Sequence, residues 1–455
     1  MELWRLVYNA VGLPLGRAGA RLAAMGKPKI AKALDGRKRS FIEIENYLTS
    51  LPGACARPGG IWFHASSVGE FLQALPLMRR LKAAREDRQI YLSFFSPSVE
   101  RSARSVEAAD VAFFLPEDTR ANVSRLLGLL KPALLVFSKF DIWPNLVWLA
   151  DEAGIPVAVT AATLSPDSGR LRWPSRSFHH SFYRALSLVC AISEEDAASY
   201  RRLGVSGENC LVTGDTRFDQ TFERAAGIEA TDPRITPFSG WKTGIRLVCG
   251  SIWPADQEHL LPAIASLAKS HPSLRFILAP HELTDRHLED LATFLDEHSL
   301  SYQLYSSLNH SAPGSGTEPG TTVNESTRAV IVDCMGVLAA IYRAADIAYV
   351  GGSFSTGVHN VMEPACFSLP VIFGPRHLNS YEARLMIERR GAFPVSSSSD
   401  ILRVVERLLA DESALKEHGE AARAVVTENL GAVGRTLAAL AARFPAAVGT
   451  IEESK

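Results

Sequence analysis

Short, almost wholly apolar runs alternate with segments of helical period in two separate series, and nothing else in this chain constrains its fold as strongly. In the first series residues 61–64, 90–95, 111–115, 134–138, 157–160 and 188–192 read as strands, and 71–84, 120–130, 145–153 and 194–203 as helices. A strand that is apolar on both faces must be covered on both faces, which is the condition of a parallel sheet held between helical layers. After a polar, Pro-containing stretch at 229–240 the pattern resumes, with strands at 246–250, 275–279, 329–333, 347–351 and 371–374. Helical segments at 256–270, 284–298, 336–345 and 382–390 separate them. The fold class expected is therefore α/β, with two Rossmann-like units. The Ser-, Gly-, Pro-, Thr- and Asn-rich segment 306–327 reads as an exposed loop inside the second unit. The Ala-rich tail 414–444 reads as helix, with room to pack back across the first unit.

Charge is balanced in total but not in distribution. The net charge of −1 lacks the basic excess of a non-specific nucleic-acid binder, so no nucleic-acid partner is expected. Residues 1–39 nevertheless hold nine basic side chains (Arg5, Arg17, Arg21, Lys27, Lys29, Lys32, Arg37, Lys38, Arg39) against Glu2 and Asp35, which makes the head +7 and the remainder −8. Leu3, Leu6, Val7, Ala10 and Val11 recur there at helical spacing, in an apolar stretch too short to span hydrocarbon, which takes about 20 residues. Three readings follow for the head: attachment to an anionic membrane surface, an amphipathic helix docked on its own protein, or a secretory signal, against which Arg17 and Arg21 argue by interrupting the apolar stretch. The six cysteines (Cys55, Cys190, Cys210, Cys249, Cys334, Cys366) form no C-x-x-C pair and read as reduced, structural residues. They give no support to a zinc site.

Ligands of open α/β sheets bind beyond the carboxyl ends of the strands, and five loops there are unusual. The first strand ends in His64-Ala65-Ser66-Ser67-Val68-Gly69-Glu70, which makes Glu70 the sharpest candidate for a general base. Ser67 and Glu70 also have the spacing of a capping box, in which the carboxylate only satisfies a backbone N–H. In the second unit Gly351-Gly352-Ser353-Phe354 and His359-Asn360-Val361-Met362-Glu363 join a close backbone turn to a polar pair suited to a nucleotide, although a Gly pair alone is more often just a turn. No G-x-G-x-x-G occurs, which argues against a nicotinamide site. Thr213-Gly214-Asp215-Thr216-Arg217-Phe218-Asp219 closes the first unit, Arg217 being either an anion ligand or a surface cation. Pro280-His281-Glu282 and Asp333-Cys334-Met335-Gly336 end two further strands, and His281 taken alone reads equally well as a structural residue.

Across nearly its whole length the chain resembles the transferases of 3-deoxy-D-manno-octulosonic acid (Kdo) that act in lipopolysaccharide assembly. The resemblance rests on H-x-S-S-V-G-E at 64–70, I-W-P-N-L at 142–146, T-G-x-x-(Lys/Arg)-F-D at 213–219, D-x-M-G at 333–336, and G-G-S-F followed by H-N-x-x-E at 351–363. It implies a GT-B fold, two Rossmann-like domains with parallel sheets facing a cleft. The implied boundaries are a basic membrane-associating segment 1–39, an acceptor-binding domain 40–228, a nucleotide-sugar-binding domain 229–430 and a helical tail 431–455.

The activity implied is transfer of Kdo from the donor CMP-Kdo to lipid IVA, the lipid A precursor, at the cytoplasmic face of the inner membrane, with no metal and no cofactor. Glu70 is then the base, Arg217 a stabiliser of developing negative charge, and Pro280, His281, Met335, Gly336, Val337, Asn360, Val361, Met362 and Glu363 the contacts of the cytidine monophosphate. The chain departs from the commoner pattern at three positions. Lys139 stands where many relatives carry Glu, which leaves its catalytic role open and Asp141 as a substitute carboxylate; His281 replaces an Arg; Val337 replaces a Glu. Another GT-B enzyme, acting on UDP-sugars as a transferase or an epimerase, and a catalytically silent membrane-associated binding protein remain the alternatives.

Overall fold

The computed structural model describes residues 2–51, 59–308, 321–378 and 380–449. The chain divides into two compact units, Met1–Gln220 with Leu430–Lys455, and Thr221–Asn429. It passes from the first to the second within the helix Thr216–Ala226, ahead of the polar stretch where the sequence suggests the change, and returns at Leu430.

Unit 1 is built on seven parallel strands: β1 (Ile61–Ala65), β2 (Ile90–Phe94), β3 (Val111–Phe114), β4 (Leu134–Ser138), β5 (Val157–Ala162), β6 (Leu188–Ala191) and β7 (Cys210–Val212). They lie in the order β3-β2-β1-β4-β5-β6-β7. The apolar runs are explained by the two cores. Ile61, Phe63 and Ala65 of β1 enter one with Phe71, Leu77 and Phe94, while Trp62 enters the other with Phe113, Leu126 and Trp148. The strand order reverses between β1 and β4, so the loops after these two strands flank the switch point where ligands of such sheets bind.

The head forms three helices, α1 (Glu2–Val7), α2 (Leu13–Ala24) and α3 (Pro28–Ser50), with a π-helical turn at Tyr8–Gly12. Part of it is docked on unit 1. Tyr8 donates to Asp118 at 2.9 Å, Trp4 donates to Ser177 at 3.0 Å, and Arg5 pairs with Glu152. Leu3, Leu6, Val11, Leu15, Leu22 and Met25 stay exposed. No helix among the described residues is long and apolar enough to cross a membrane.

Unit 2 holds β8 (Arg246–Ile252), β9 (Arg275–Pro280), β10 (Tyr302–Leu304), β11 (Ala329–Ile331), β12 (Ile347–Val350), β13 (Val371–Phe373) and β14 (Ala392–Pro394). All are parallel, in the order β10-β11-β9-β8-β12-β13-β14, with the reversal between β8 and β12.

Three sequence expectations need correction. The helix expected over 336–345 is one short turn, Leu338–Ile341, followed by a 3-10 turn at Tyr342–Ala344. The segment 306–327 is not uniformly exposed: Tyr305–Leu308 is helical and Val323 and Thr327 are buried, while residues 309–320 lie outside the described set. The tail is not one body either. Glu412–Glu428 belongs to unit 2, Gly431 turns the chain at φ 85°, and Ala432–Arg443 sends Val433, Leu437 and Leu440 into a core of unit 1. Of the cysteines, Cys190, Cys210, Cys249, Cys334 and Cys366 are free; Cys55 lies outside the described residues.

Candidate active site

In unit 1 the loop after β1 enters the helix α4 (Val68–Ala84), capped by Ser67, whose hydroxyl accepts the Glu70 N–H at 3.4 Å. Glu70 returns the favour one residue earlier than a capping box would: its Oε2 accepts the Ser66 N–H at 2.5 Å. The capping reading is thus partly realised, yet it does not exhaust this carboxylate. Burial raises the Glu70 pKa, and Asp141 adds to the rise; the Ser66 and Ser67 N–H groups and Lys139 oppose it, and the balance leaves it at about 7. A carboxyl that exchanges its proton near neutrality is what a general base needs. Lys139 and Asp141 follow β4, on the other side of the switch point, and both act on Glu70 electrostatically.

His64 organises this strand end and is not itself a base. Burial takes its pKa down to about 4, although Asp141 pulls the other way, so the ring is neutral. Trp143 Nε1 donates to its Nε2 at 3.1 Å, Ser66 Oγ lies 2.9 Å from the same atom, and Nδ1 meets Ser93 Oγ at 2.8 Å. An Nε2 that accepts fixes the proton on Nδ1.

The 213–219 motif is mostly scaffold. Thr213 is held by Thr436 Oγ1 at 2.9 Å and its carbonyl by Arg435 at 2.9 Å, and Asp219 accepts the N–H groups of Gly431 and Val433. Gly214 sits at φ +90°, a conformation that L side chains rarely adopt, and a Cβ there would be tight against Arg435 at 3.0 Å and Ala432 at 3.2 Å. Arg217 is instead clamped by a neighbour within the motif. Its Nε and Nη2 donate to Asp215 at 2.8 and 2.7 Å, and Gln73 of α4, one turn beyond Glu70, donates to the same carboxylate at 3.1 Å. Burial would raise the Asp215 pKa, but Arg217 and its backbone N–H bring it below the ordinary carboxylate value. Asp215 therefore fixes the guanidinium fork, a role the sequence did not single out.

In unit 2 the Gly-Gly turn and Asn360–Glu363 follow β12 at the switch point, Pro280 and His281 lie at the end of β9 one strand away from it, and Met335–Val337 follow β11 beyond that. Pro280 ends β9, and the His281 N–H donates to Ile252 at 2.9 Å. His281 stacks on Trp253 and on His359, ring centroids 4.4 Å apart in both cases, and Trp253 Nε1 donates to His359 Nε2 at 2.7 Å. His359 Nε2 is the acceptor of the Trp253 indole N–H, and burial and the neighbouring His281 lower the His359 pKa while Asp256 opposes them.

Asp256, fully buried, was missed from sequence, and it is the hub of the site. It accepts Trp253 N–H at 2.9 Å after β8, Tyr349 O–H at 2.9 Å on β12 and Gly352 N–H at 2.8 Å in the Gly-Gly turn. Asn360 Oδ1 accepts the Met362 N–H at 3.1 Å. Glu363 lies 3.7 Å from Arg224; burial raises its pKa, and Arg224 and Asn360 oppose the rise. Val361 and Met362 have buried side chains, so only their backbone can meet a ligand. Met335 is exposed, Gly336 turns at φ +86°, and Val337 precedes the short turn at Leu338; the structure brings no side chain of these three onto the His281 stack. No group of three or more His, Cys, Asp or Glu residues is gathered as metal ligands among the described residues.

Residues 29–220 match a glycosyltransferase family model described as 3-deoxy-D-manno-octulosonic-acid transferase (kdotransferase). The 3-deoxy-D-manno-octulosonic acid transferase of Haemophilus influenzae is 27% identical over 447 residues, 96% of this chain and 97% of that protein. A probable mitochondrial counterpart in Arabidopsis thaliana is 25% identical over 390 residues, 82% of this chain and 83% of that protein. Among solved structures, a UDP-GlcNAc 2-epimerase from Neisseria meningitidis bound to UDP-GlcNAc superposes with a TM-score of 0.57 at 12% identity, over 82% of this chain and 99% of its own. A putative UDP-N-acetylglucosamine 2-epimerase from Listeria monocytogenes gives 0.58 at 12% identity, over 85% of this chain and 97% of its own. These likenesses establish the GT-B fold. Over residues 29–220 by the family model, and across most of its length at 25–27% identity, this chain is similar to the 3-deoxy-D-manno-octulosonic acid (Kdo) transferases.

Proposed function

We propose that this chain is a Kdo glycosyltransferase of lipopolysaccharide synthesis that takes Kdo from CMP-Kdo and attaches it to lipid IVA, with Glu70 as general base and no metal ion. The observation that carries the proposal is Glu70 itself, a nearly buried carboxyl at the switch point of unit 1 with its pKa pushed up to about 7. Above that pH its carboxylate takes the proton of an acceptor hydroxyl. The oxygen forms the new bond to the anomeric carbon of Kdo, the bond from that carbon to the phosphate of CMP breaks, and its electron pair leaves on the phosphate. Arg217, clamped by Asp215, offsets charge on that phosphate or on the Kdo carboxylate.

In unit 2 the nucleotide is assigned to the turn pinned by Asp256, to the His281 loop, and to Asn360–Glu363. His281 offers one imidazole where a guanidinium would offer a fork, so phosphate binding by this side chain is weaker than a bidentate clamp. The basic head is assigned to the cytoplasmic face of the inner membrane, a reading supported by its exposed leucines and its charge.

The fold likeness to UDP-sugar epimerases favours one rival, an enzyme of UDP-sugars. Competition separates the two readings. CMP is expected to inhibit turnover at least about 10-fold more strongly than UDP, the size of discrimination that about 1.4 kcal/mol provides. Stronger inhibition by UDP would support the rival.

A further inference from the structure

The basic head contains one arginine whose surroundings differ from those of its neighbours. Arg37 of α3 is half-buried, with its guanidinium carbon 4.0 Å from the centroid of the Phe95 ring. Two nearby arginines make the same kind of contact and are also neutralised: Arg125 over Phe41 donates to Glu45 at 2.6 Å, and Arg104 near Phe94 donates to Glu43 at 2.8 Å. Arg37 has no such partner. Its Nε is buried without a hydrogen bond, and no acceptor among the described residues meets its guanidinium. The carboxylate it feels is Glu117, which already accepts Arg17 Nε at 2.6 Å, so two guanidinium groups share one acid. Burial lowers the Arg37 pKa and Glu117 resists, but an arginine remains charged.

A half-buried cation with a buried, unpaired Nε–H and an unmatched charge is stabilised when an anion completes it. The position is held firmly enough to make that arrangement a site. A Cβ on Gly36 would lie 2.4 Å from the Phe114 ring, and Ser40 Oγ donates to the Phe114 carbonyl at 2.6 Å, so α3 sits tight against β3. Stacking on Phe95 leaves the in-plane N–H edge of the guanidinium for a ligand. Phe95 also stacks on Trp143, centroids 5.2 Å apart and 26° between planes, and Trp143 reaches His64, whose partner Ser66 donates its N–H to Glu70. A continuous wall therefore runs from Arg37 to the proposed base.

We propose that Arg37, stacked on Phe95, is an anion site of unit 1 that takes a phosphate group of the glycolipid acceptor. This rests on the reading above that the acceptor is lipid IVA, a phosphorylated glycolipid, and assigns the residue that holds its charge.

The test is steady-state kinetics of the full chain in neutral detergent micelles, with CMP-Kdo and either lipid IVA or the same lipid stripped of its phosphates, for wild type, Arg37→Ala and Arg37→Lys. Arg37→Ala is expected to raise the acceptor KM by about 10-fold or more and leave the donor KM unchanged, as loss of a charge-assisted contact does. Arg37→Lys restores part of the loss, since it keeps the charge without the fork. On the stripped lipid, wild type and Arg37→Ala share one KM. An unmoved acceptor KM, or the same rise with both lipids, overturns the inference and leaves Arg37 a packing cation. Loss of binding to anionic vesicles with the acceptor KM unmoved also overturns it, by assigning the site to bulk headgroups. Absence of turnover of lipid IVA by wild type overturns the acceptor reading, and the inference with it; turnover with an insensitive KM overturns the inference alone.

Discussion

Glu70 meets two demands that usually fall on different carboxylates: it completes the first turn of α4 by holding the Ser66 N–H, and it is kept from ionising fully by burial and by Asp141. The second has a measurable sign. Because the folded chain holds the Glu70 proton up to about pH 7, its stability falls as pH rises from the ordinary glutamate range through about 7. With Glu70 as the proposed base, activity is expected to run the other way, since only the carboxylate accepts a proton. The acceptor-saturated rate is expected to climb with pH and level off above about 7, and Glu70→Gln to lose about 10²–10⁴-fold together with that pH limb. Thermal melts at pH 8 should find Glu70→Gln at least as stable as wild type. A variant that keeps both the rate and the pH limb would remove Glu70 from the chemistry. Glu70 was legible in sequence because it follows an apolar strand within a few residues. Asp256 was not: three residues into a helix it reads as a cap, and its partners Tyr349 and Gly352 are far away along the chain.

Elements were legible in proportion to their burial. The central strands β1, β4, β8 and β12 are covered on both faces and stand out as apolar runs, whereas β7, β10 and β14 have three residues each, lie at sheet edges and keep residues such as Leu211, Val212 and Leu304 partly exposed. The head is docked on unit 1 at some positions and exposed at others. Tyr8 satisfies buried Asp118, while Leu15 and Leu22, two turns apart on one face of α2, are exposed at 67% and 71%. Removing the head would therefore break unit 1 as well as any membrane contact, and a surface variant is the cleaner probe. Leu15→Glu/Leu22→Glu is expected to keep the thermal midpoint and weaken binding to anionic vesicles by about 10-fold or more, since it puts charge in place of exposed apolar area that a membrane surface would cover. Undiminished sedimentation with those vesicles would return α2 to the protein's own surface.

At the scale of the whole molecule, the chain starts and ends in unit 1, and the 213–219 motif is where the returning tail is received: Thr213 and Asp219 hold the helix Ala432–Arg443, and Asp215 and Arg217 are left for charge. That division could not be read from the motif's letters, because it depends on a helix more than two hundred residues further on. Each unit has a switch point of its own: the loop carrying Glu70 follows β1 in one, and the Gly351-Gly352 turn pinned by Asp256 follows β12 in the other. The most direct measurement is mass spectrometry of the lipid recovered after purified protein is incubated with CMP-Kdo and lipid IVA. The account predicts a lipid heavier by whole Kdo residues, formed with matching release of CMP and lost in Glu70→Gln; an unmodified lipid, or the same product from the Glu70→Gln variant, would contradict it.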